Sequence, residues 1–207
     1  MKPHPDKALL KKLFPSIRKY QELASKHGIG DIFQDNGGKL LQLILLTGLQ
    51  VIPGREGNDA RDEKCKEYEL KSVNTLLTQS FSTHHHLNPT IVAKYRRVGW
   101  YFATYQGIEL QEVYLMTSEQ LEPYFTEWEN RWNGIEKKSK PSKRKKTGSE
   151  KRRKITKGKD INNPKIPVKF VRENGLLLFL AKEKPVAVKP VKPAEKPRDS
   201  ELAKGQE

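Results

Sequence analysis

Cysteine is almost absent. Cys65 stands alone, so no disulfide can form within the chain, and the usage suits a reducing compartment. Long apolar runs are missing too. The longest, residues 40–52 (LLQLILLTGLQVI), falls short of the roughly 20 residues that a membrane helix needs. The opening stretch MKPHPDKALLKKLFPSIRKY is amphipathic and lacks the apolar middle of a signal peptide. These absences argue against a disulfide-stapled scaffold and a membrane protein, and the plain expectation is a soluble intracellular one. Apolar residues are scarce for a compact globule, at 35% of the 207 residues, which predicts that part of the chain stays unpacked.

What is plentiful is positive charge, and it is unevenly placed. The formal net charge is +15, and residues 136–159 hold thirteen Lys/Arg against two Glu, which is +11 of it. The remaining +4 is spread over the rest of the chain, so the basic character belongs mostly to one segment. Residues 134–159 (GIEKKSKPSKRKKTGSEKRRKITKGK) carry almost no apolar side chain and are expected to form a disordered basic insertion. Residues 182–207 are rich in Pro, Lys and Glu and read as a disordered tail. Residues 1–133 and 160–181 are expected to make one domain. No internal repeat of domain size is visible.

Leu9, Leu10, Leu13, Ile17, Tyr20 and Leu23 fall at helical spacing, with Pro15 expected to kink or split the run. Residues 39–47 are apolar nearly all round and predict a buried helix stopped near Gly48. EYELKSV alternates, with Glu67, Glu69 and Lys71 on one face and Tyr68, Leu70 and Ser72 on the other. VGWYFATY and ELQEVYLM predict a hairpin turning near Gln106 and Gly107. SEQLEPYFTEWENRW has helical periodicity and a start at Ser118. IPVKFVRENGLLLFL predicts a second hairpin, with Asn174 and Gly175 at positive φ in its turn. The fold class is α/β: a central mixed β-sheet flanked by helices.

The chemistry concentrates on one strand. Glu69 and Lys71 share a face about 7 Å apart by strand rise. Asp59 follows the turn-rich PGREGN, so a chain that folds back brings it to Glu69. Two carboxylates and the Leu70 carbonyl are hard oxygen donors, which suit Mg²⁺. A lysine beside them can orient water and offset growing negative charge, a set suited to phosphodiester hydrolysis. A charged, solvated strand face carries the same pattern, and Glu67 rivals Glu69 on the same side. The triple histidine 84–86 admits a metal-ligand or a solvated reading. On a strand, neighbours point to opposite faces, so one ion could not easily take all three. Asn162-Asn163-Pro164 is ordinary turn chemistry, although an Asn amide can also pair bidentately with adenine.

Six blocks settle on one resemblance: HGIGDIFQDNGGKLLQLILLTGL, PGREGNDA, EYELKS, FSTHHHLNP, AKYR and DINNPKIPVK. In this order they resemble the PvuII restriction endonucleases, type II enzymes of the PD-(D/E)xK nuclease class, over residues 5–133 and 160–176. The resemblance implies a restriction-endonuclease-like fold and a homodimer joined through its helical N-terminal part. It also implies Mg²⁺-dependent cleavage of double-stranded DNA at CAGCTG with blunt ends. Asp59 and Glu69 match the family's metal carboxylates, Leu70 its carbonyl ligand and Lys71 its catalytic lysine. Asp35 matches an acid of the DNA cleft that couples recognition to cleavage, and Tyr95 a tyrosine close to the active site. His85, His86, Asn162 and Asn163 match base readers, with Ser82 and Lys165 as further DNA contacts. A bacterial, cytoplasmic enzyme with a cognate methyltransferase in its host is implied as well.

The chain departs from this pattern in the basic insertion and in the tail. The insertion ends beside Asp160 and the two asparagines, so it is expected to run along phosphates flanking the site, positioning without reading sequence. A solvated loop and an import signal built on KRKK and KRRK are the other readings of its composition. Two competing function classes remain at this level. One is a catalytically silent DNA-binding module on the same fold, for which Lys71 would have no use. The other is a general chromatin or RNA binder resting on residues 134–159.

Overall fold

The computed structural model describes residues 4, 6–53, 58–134 and 158–182. The expected disordered insertion and tail therefore lie almost entirely outside the described residues, as does most of the turn before Asp59. Only the insertion's ends are described: the Gly158 N–H donates to the Trp132 carbonyl at 2.9 Å, so the two ends meet at a narrow neck.

Helix α1 (Lys7–Lys26) runs through Pro15 and is not split by it. Pro15 deletes one backbone hydrogen bond on an exposed stretch, where water can serve the freed carbonyl. Helix α2 (Gly37–Thr47) starts after two residues in the left-handed region, Asp35 (φ 48) and Asn36 (φ 62), and ends at Gly48 (φ 72). Strands β1 (Gln50–Val51) and β2 (Ala60–Arg61) lead into β3 (Glu67–Asn74). Then come β4 (Ser80–Ser82), α3 (Pro89–Tyr95), β5 (Gly99–Gln106), β6 (Glu109–Met116) and α4 (Ser118–Trp132). Thr117 caps α4 in a reciprocal box with Gln120, so the hydroxyl that starts this helix belongs to the residue before Ser118. Strand β7 (Lys165–Pro167), helix α5 (Val168–Asn174) and strand β8 (Leu176–Leu180) complete the described chain.

The main sheet has the order β1-β2-β3-β5-β6-β8. Only β3 and β5 run parallel, so the sheet is mixed as expected. Strand β5 explains why both faces must be covered. Trp100 and Phe102 join one core with Phe125 and Trp128 of α4, while Tyr101, Ala103 and Tyr105 join another with Leu41 and Ile44 of α2. The period of two thus feeds two apolar layers, and helices lie on both sides of the sheet.

The second predicted hairpin is not formed. Residues 168–174 are helical, and β8 pairs with β6 while β7 pairs with β4. Gly175 has φ −86, so no positive-φ turn exists there. The reason is helical spacing hidden in a short segment. Val168 and Val171 are buried three residues apart, Lys169 and Glu173 pair outward at i,i+4, and the Asn174 amide donates to the Phe170 carbonyl. Arg172 ties this helix to β6 through Glu112, which also accepts from Thr104.

Candidate active site and nucleic-acid interface

Strand β3 is covered on both faces, and this separates its two glutamates. Glu69 is 4% exposed, whereas Glu67 is exposed and accepts from the Asn58 amide at 2.6 Å. The Lys71 ammonium lies 2.5 Å from the Glu69 carboxylate, over the rings of Tyr95 and Trp100 at 5.8 and 5.7 Å. The Tyr95 hydroxyl hydrogen-bonds Glu69 as well. Asp59 sits just before β2, which pairs antiparallel with β3. Its Oδ2 accepts from the Leu70 N–H at 2.8 Å, which puts it next to Glu69 in space. The predicted fold-back therefore exists, and its cause is the β2–β3 ladder.

Burial raises the Glu69 pKa. The Lys71 ammonium opposes that, and the Asp59 carboxylate adds to it. Burial also raises the Tyr95 pKa, with Glu69 and Asp59 reinforcing it, so this phenol stays protonated and can only donate to the carboxylate. Two neighbouring carboxylates share one lysine between them. Among the described residues no three His, Cys, Asp or Glu side chains gather as a metal-holding group. The available donors are two carboxylates and the adjacent Leu70 carbonyl, all hard oxygens. That donor set, with a buried negative charge that one lysine only partly offsets, fits a divalent ion of the Mg²⁺ kind.

A cavity of about 640 Å³ opens beside this group, lined by Asp35, Asn58, Asp59, Leu70, Lys71 and Ser72 among others. Asp35 reaches it from the left-handed corner that begins α2, so the fold brings the cleft acid to the acid–lysine strand. Asn58 and Ser72 share the lining and were not singled out in the sequence. Asn58 had only the mark of preceding Asp59.

The six candidate DNA contacts lie some eighty residues apart in sequence and gather on one ribbon. β4 and β7 pair antiparallel, with Ser82 opposite Lys165, and the bridge Leu87–Ile161 extends the pairing. The Lys165 ammonium lies 2.5 Å from the Ser82 hydroxyl. His85 and His86 line one hollow with Lys159, Asp160 and Asn162. The histidine run is not on a strand but in the turn beyond β4. There the His84 Nδ1 accepts from the His86 N–H at 3.0 Å, so one ring nitrogen of the first histidine is spent on shaping the turn. Partial desolvation, followed by the Lys71 charge, lowers the His84 pKa and so favours the neutral ring that this acceptor role requires. Asn163 stands at φ 45, its amide oxygen accepting from Thr83 N and its own N–H donating to the His84 carbonyl. Part of its polarity thus builds the ribbon, while Asn162 is exposed in the hollow.

A model of the family described as Restriction endonuclease PvuII matches residues 5–179. Enzymes of this kind bind double-stranded DNA and in general use a divalent metal. No helix among the described residues is long and apolar enough to cross a membrane. The match takes in both strands of the ribbon and the whole lining of the cavity, and the chain belongs to the PvuII family of type II restriction endonucleases.

Proposed function

We infer that this protein is a Mg²⁺-dependent homodimeric endonuclease that cuts the palindrome CAGCTG in double-stranded DNA and leaves blunt ends. The observation that carries the reading is the convergence of Asp35, Asp59, Leu70 and Lys71 on one cavity, with Glu69 buried directly behind Lys71. Asp59, Glu69 and the Leu70 carbonyl would hold the ion, which when bound supplies Lewis acidity to a phosphate oxygen and to water. Lys71 orients the attacking water and offsets the charge that grows on the phosphate. Glu69 orients Lys71 through their ion pair, and Tyr95 holds Glu69 by donating a hydrogen bond from its hydroxyl. Asp35 faces the same cavity from α2 and would link occupancy of the DNA cleft to cutting.

His85, His86, Asn162 and Asn163 would read bases, with Ser82 and Lys165 fixing the strand alongside. Asn162 suits an A·T pair because its amide can donate to adenine N7 and accept from the adenine N6 amino group. A two-fold dimer is what a palindrome requires, since each subunit then reads an identical half-site. The wider setting in this reading is a bacterial cytoplasm in which a methyltransferase protects the host's own sites.

Digestion of a plasmid of known sequence tests the whole reading. With Mg²⁺ the expected product is a set of discrete blunt ends at CAGCTG, absent with EDTA. Lys71→Ala should reduce cutting by about a hundred- to a thousandfold, the scale of losing a preorganised donor at the reacting centre, while duplex binding persists. Discrete ends elsewhere would reassign the readers. Binding without any cutting by the parent protein would favour the silent module.

A further inference from the structure

A second hollow, of about 390 Å³, lies beside the active cavity and is lined by Asn58, Lys66, Glu67, Lys94, Arg97 and Val98. Three cations face one carboxylate there, and that carboxylate is already engaged by the Asn58 amide. Among the described residues, none of Lys66, Lys94 and Arg97 is in an ion pair within 4.0 Å. The cations come from two separate segments, the entry to β3 and the end of α3. A helix C-terminus favours positive side chains and so accounts for Lys94 and Arg97. Lys66 comes from another segment, its ammonium over the Tyr68 ring at 5.4 Å, and meets the other two cations at the same hollow.

The walls of this hollow adjoin the groups of the centre one by one. Asn58 lines both spaces and precedes Asp59. Glu67 is two residues before Glu69 on one strand, and Lys94 precedes Tyr95, which bonds Glu69. A nucleic-acid strand with one phosphate at Asp59 and Lys71 must carry its next phosphates out over the rim of the cavity. On this side the rim is the cationic hollow.

We propose that Lys66, Lys94 and Arg97 form a clamp for backbone phosphates of the cut strand next to the scissile bond, a contact that adds affinity and register but reads no base. The proposal rests on the endonuclease reading above. The clamp uses side chains that are exposed in the free protein, so they lose little packing when changed. Its signature is electrostatic: each phosphate neutralised contributes about −0.9 to the slope of log K against log salt.

The test is equilibrium binding of the full-length protein to a short duplex in EDTA, from about 50 to 200 mM salt, the range where counterion release is read. The triple variant Lys66→Gln, Lys94→Gln, Arg97→Gln removes three cations from each subunit of the dimer and is expected to flatten the slope by about 4 to 5 units. It should weaken cognate and unrelated duplexes by the same factor and leave their ratio unchanged. A control with Lys19→Gln and Lys26→Gln on α1 should leave the slope at the parent's value. A parental slope in the triple variant, or equal flattening in the control, would overturn the clamp. The melting curve of the triple variant is expected to overlay the parent's, which separates loss of contact from loss of fold. Salt-independent or absent duplex binding by the parent itself would instead sink the endonuclease reading.

Discussion

Glu69 and Lys71 form an ion pair in a place where ions are expensive. Glu69 is 4% exposed, and the Lys71 side chain is 13% exposed beneath two aromatic rings. Attraction within such a pair roughly offsets its desolvation, so replacing both partners by neutral groups is often stabilising by about 1–4 kcal/mol. The double variant Glu69→Gln, Lys71→Met is therefore expected to melt above the parent without divalent metal, while each single variant melts below it. The pH dependence has a definite sign. Burial holds the folded-state pKa of Glu69 above its ordinary value. Its contribution to stability is then full below the ordinary carboxylate range and is lost as pH rises through the raised value. The advantage of the double variant should grow from about pH 4 to pH 8 in thermal denaturation, since the parent alone carries this penalty. A constant difference across that range would show that the site does not strain the fold. Stability given up at this pair is the cost of a charged lysine held ready at the cavity.

At the scale of elements, the beginning of α2 decides where Asp35 stands. Gly37 opens this helix because other backbone already fills the space that a side chain would need, and Gly38 follows it close against the Tyr20 ring. A Cβ on Gly37 would lie 2.2 Å from the Asp31 carbonyl oxygen and 2.9 Å from Ile29 Cγ2. The Tyr20 and Tyr105 hydroxyls pin the same turn by donating to the Gly38 and Lys39 carbonyls, each at 2.6 Å. Gly37→Ala cannot be absorbed by a side-chain rotation, because the obstacle is backbone. It is expected to cost about 2–3 kcal/mol in urea unfolding, at the upper end of overpacking losses. The corner carrying Asp35 should shift with it. Cutting should then fall further than duplex binding does, because the cation-rich rim and the reading ribbon are built from other elements. The clasp between α3 and α4 has a comparable role for Tyr95. Arg96 donates to Glu122 and Glu129 together, holding the end of the helix that carries the tyrosine.

At the scale of the whole molecule, the first helix presents an apolar stripe that nothing among the described residues covers. Leu9, Leu10, Leu13 and Phe14 of α1 are 40–56% exposed, and Leu45 and Leu46 of α2 are exposed as well. A face of this kind marks an interaction surface, and the dimer of the proposed function would supply its occupant. Leu10→Glu with Leu13→Glu is expected to halve the molecular mass seen by light scattering. Double-strand cutting should be lost, because a palindrome then meets only one active site at a time. A variant that remains dimeric and fully active would move the dimer contact elsewhere.

Several parts of this molecule were legible in the residues alone. Helix α2, the β5–β6 hairpin and the charged β3 all follow from the apolar patterning, although α2 is buried on one face only, with Leu41, Leu43 and Ile44 inside and Leu45 and Leu46 exposed. The α5 segment was misread because seven residues hold only two buried positions, too few to separate a helical from a strand period. The family was legible because six ordered blocks cannot coincide by composition. The sequence by itself determined the residue types at the centre, the concentration of charge in residues 136–159 and the mixed α/β class. Alternation left Glu67 and Glu69 as rivals and only the family resemblance chose between them; the tertiary structure gives the physical difference, because burial comes from the layer packed over a strand and not from the strand itself. Only pairing across some eighty residues joined Ser82 to Lys165 and the histidines to Asn162. Only the meeting of the β3 entry with the end of α3 gathered Lys66, Lys94 and Arg97, since charges distant in sequence have no local pattern to announce that they share a surface.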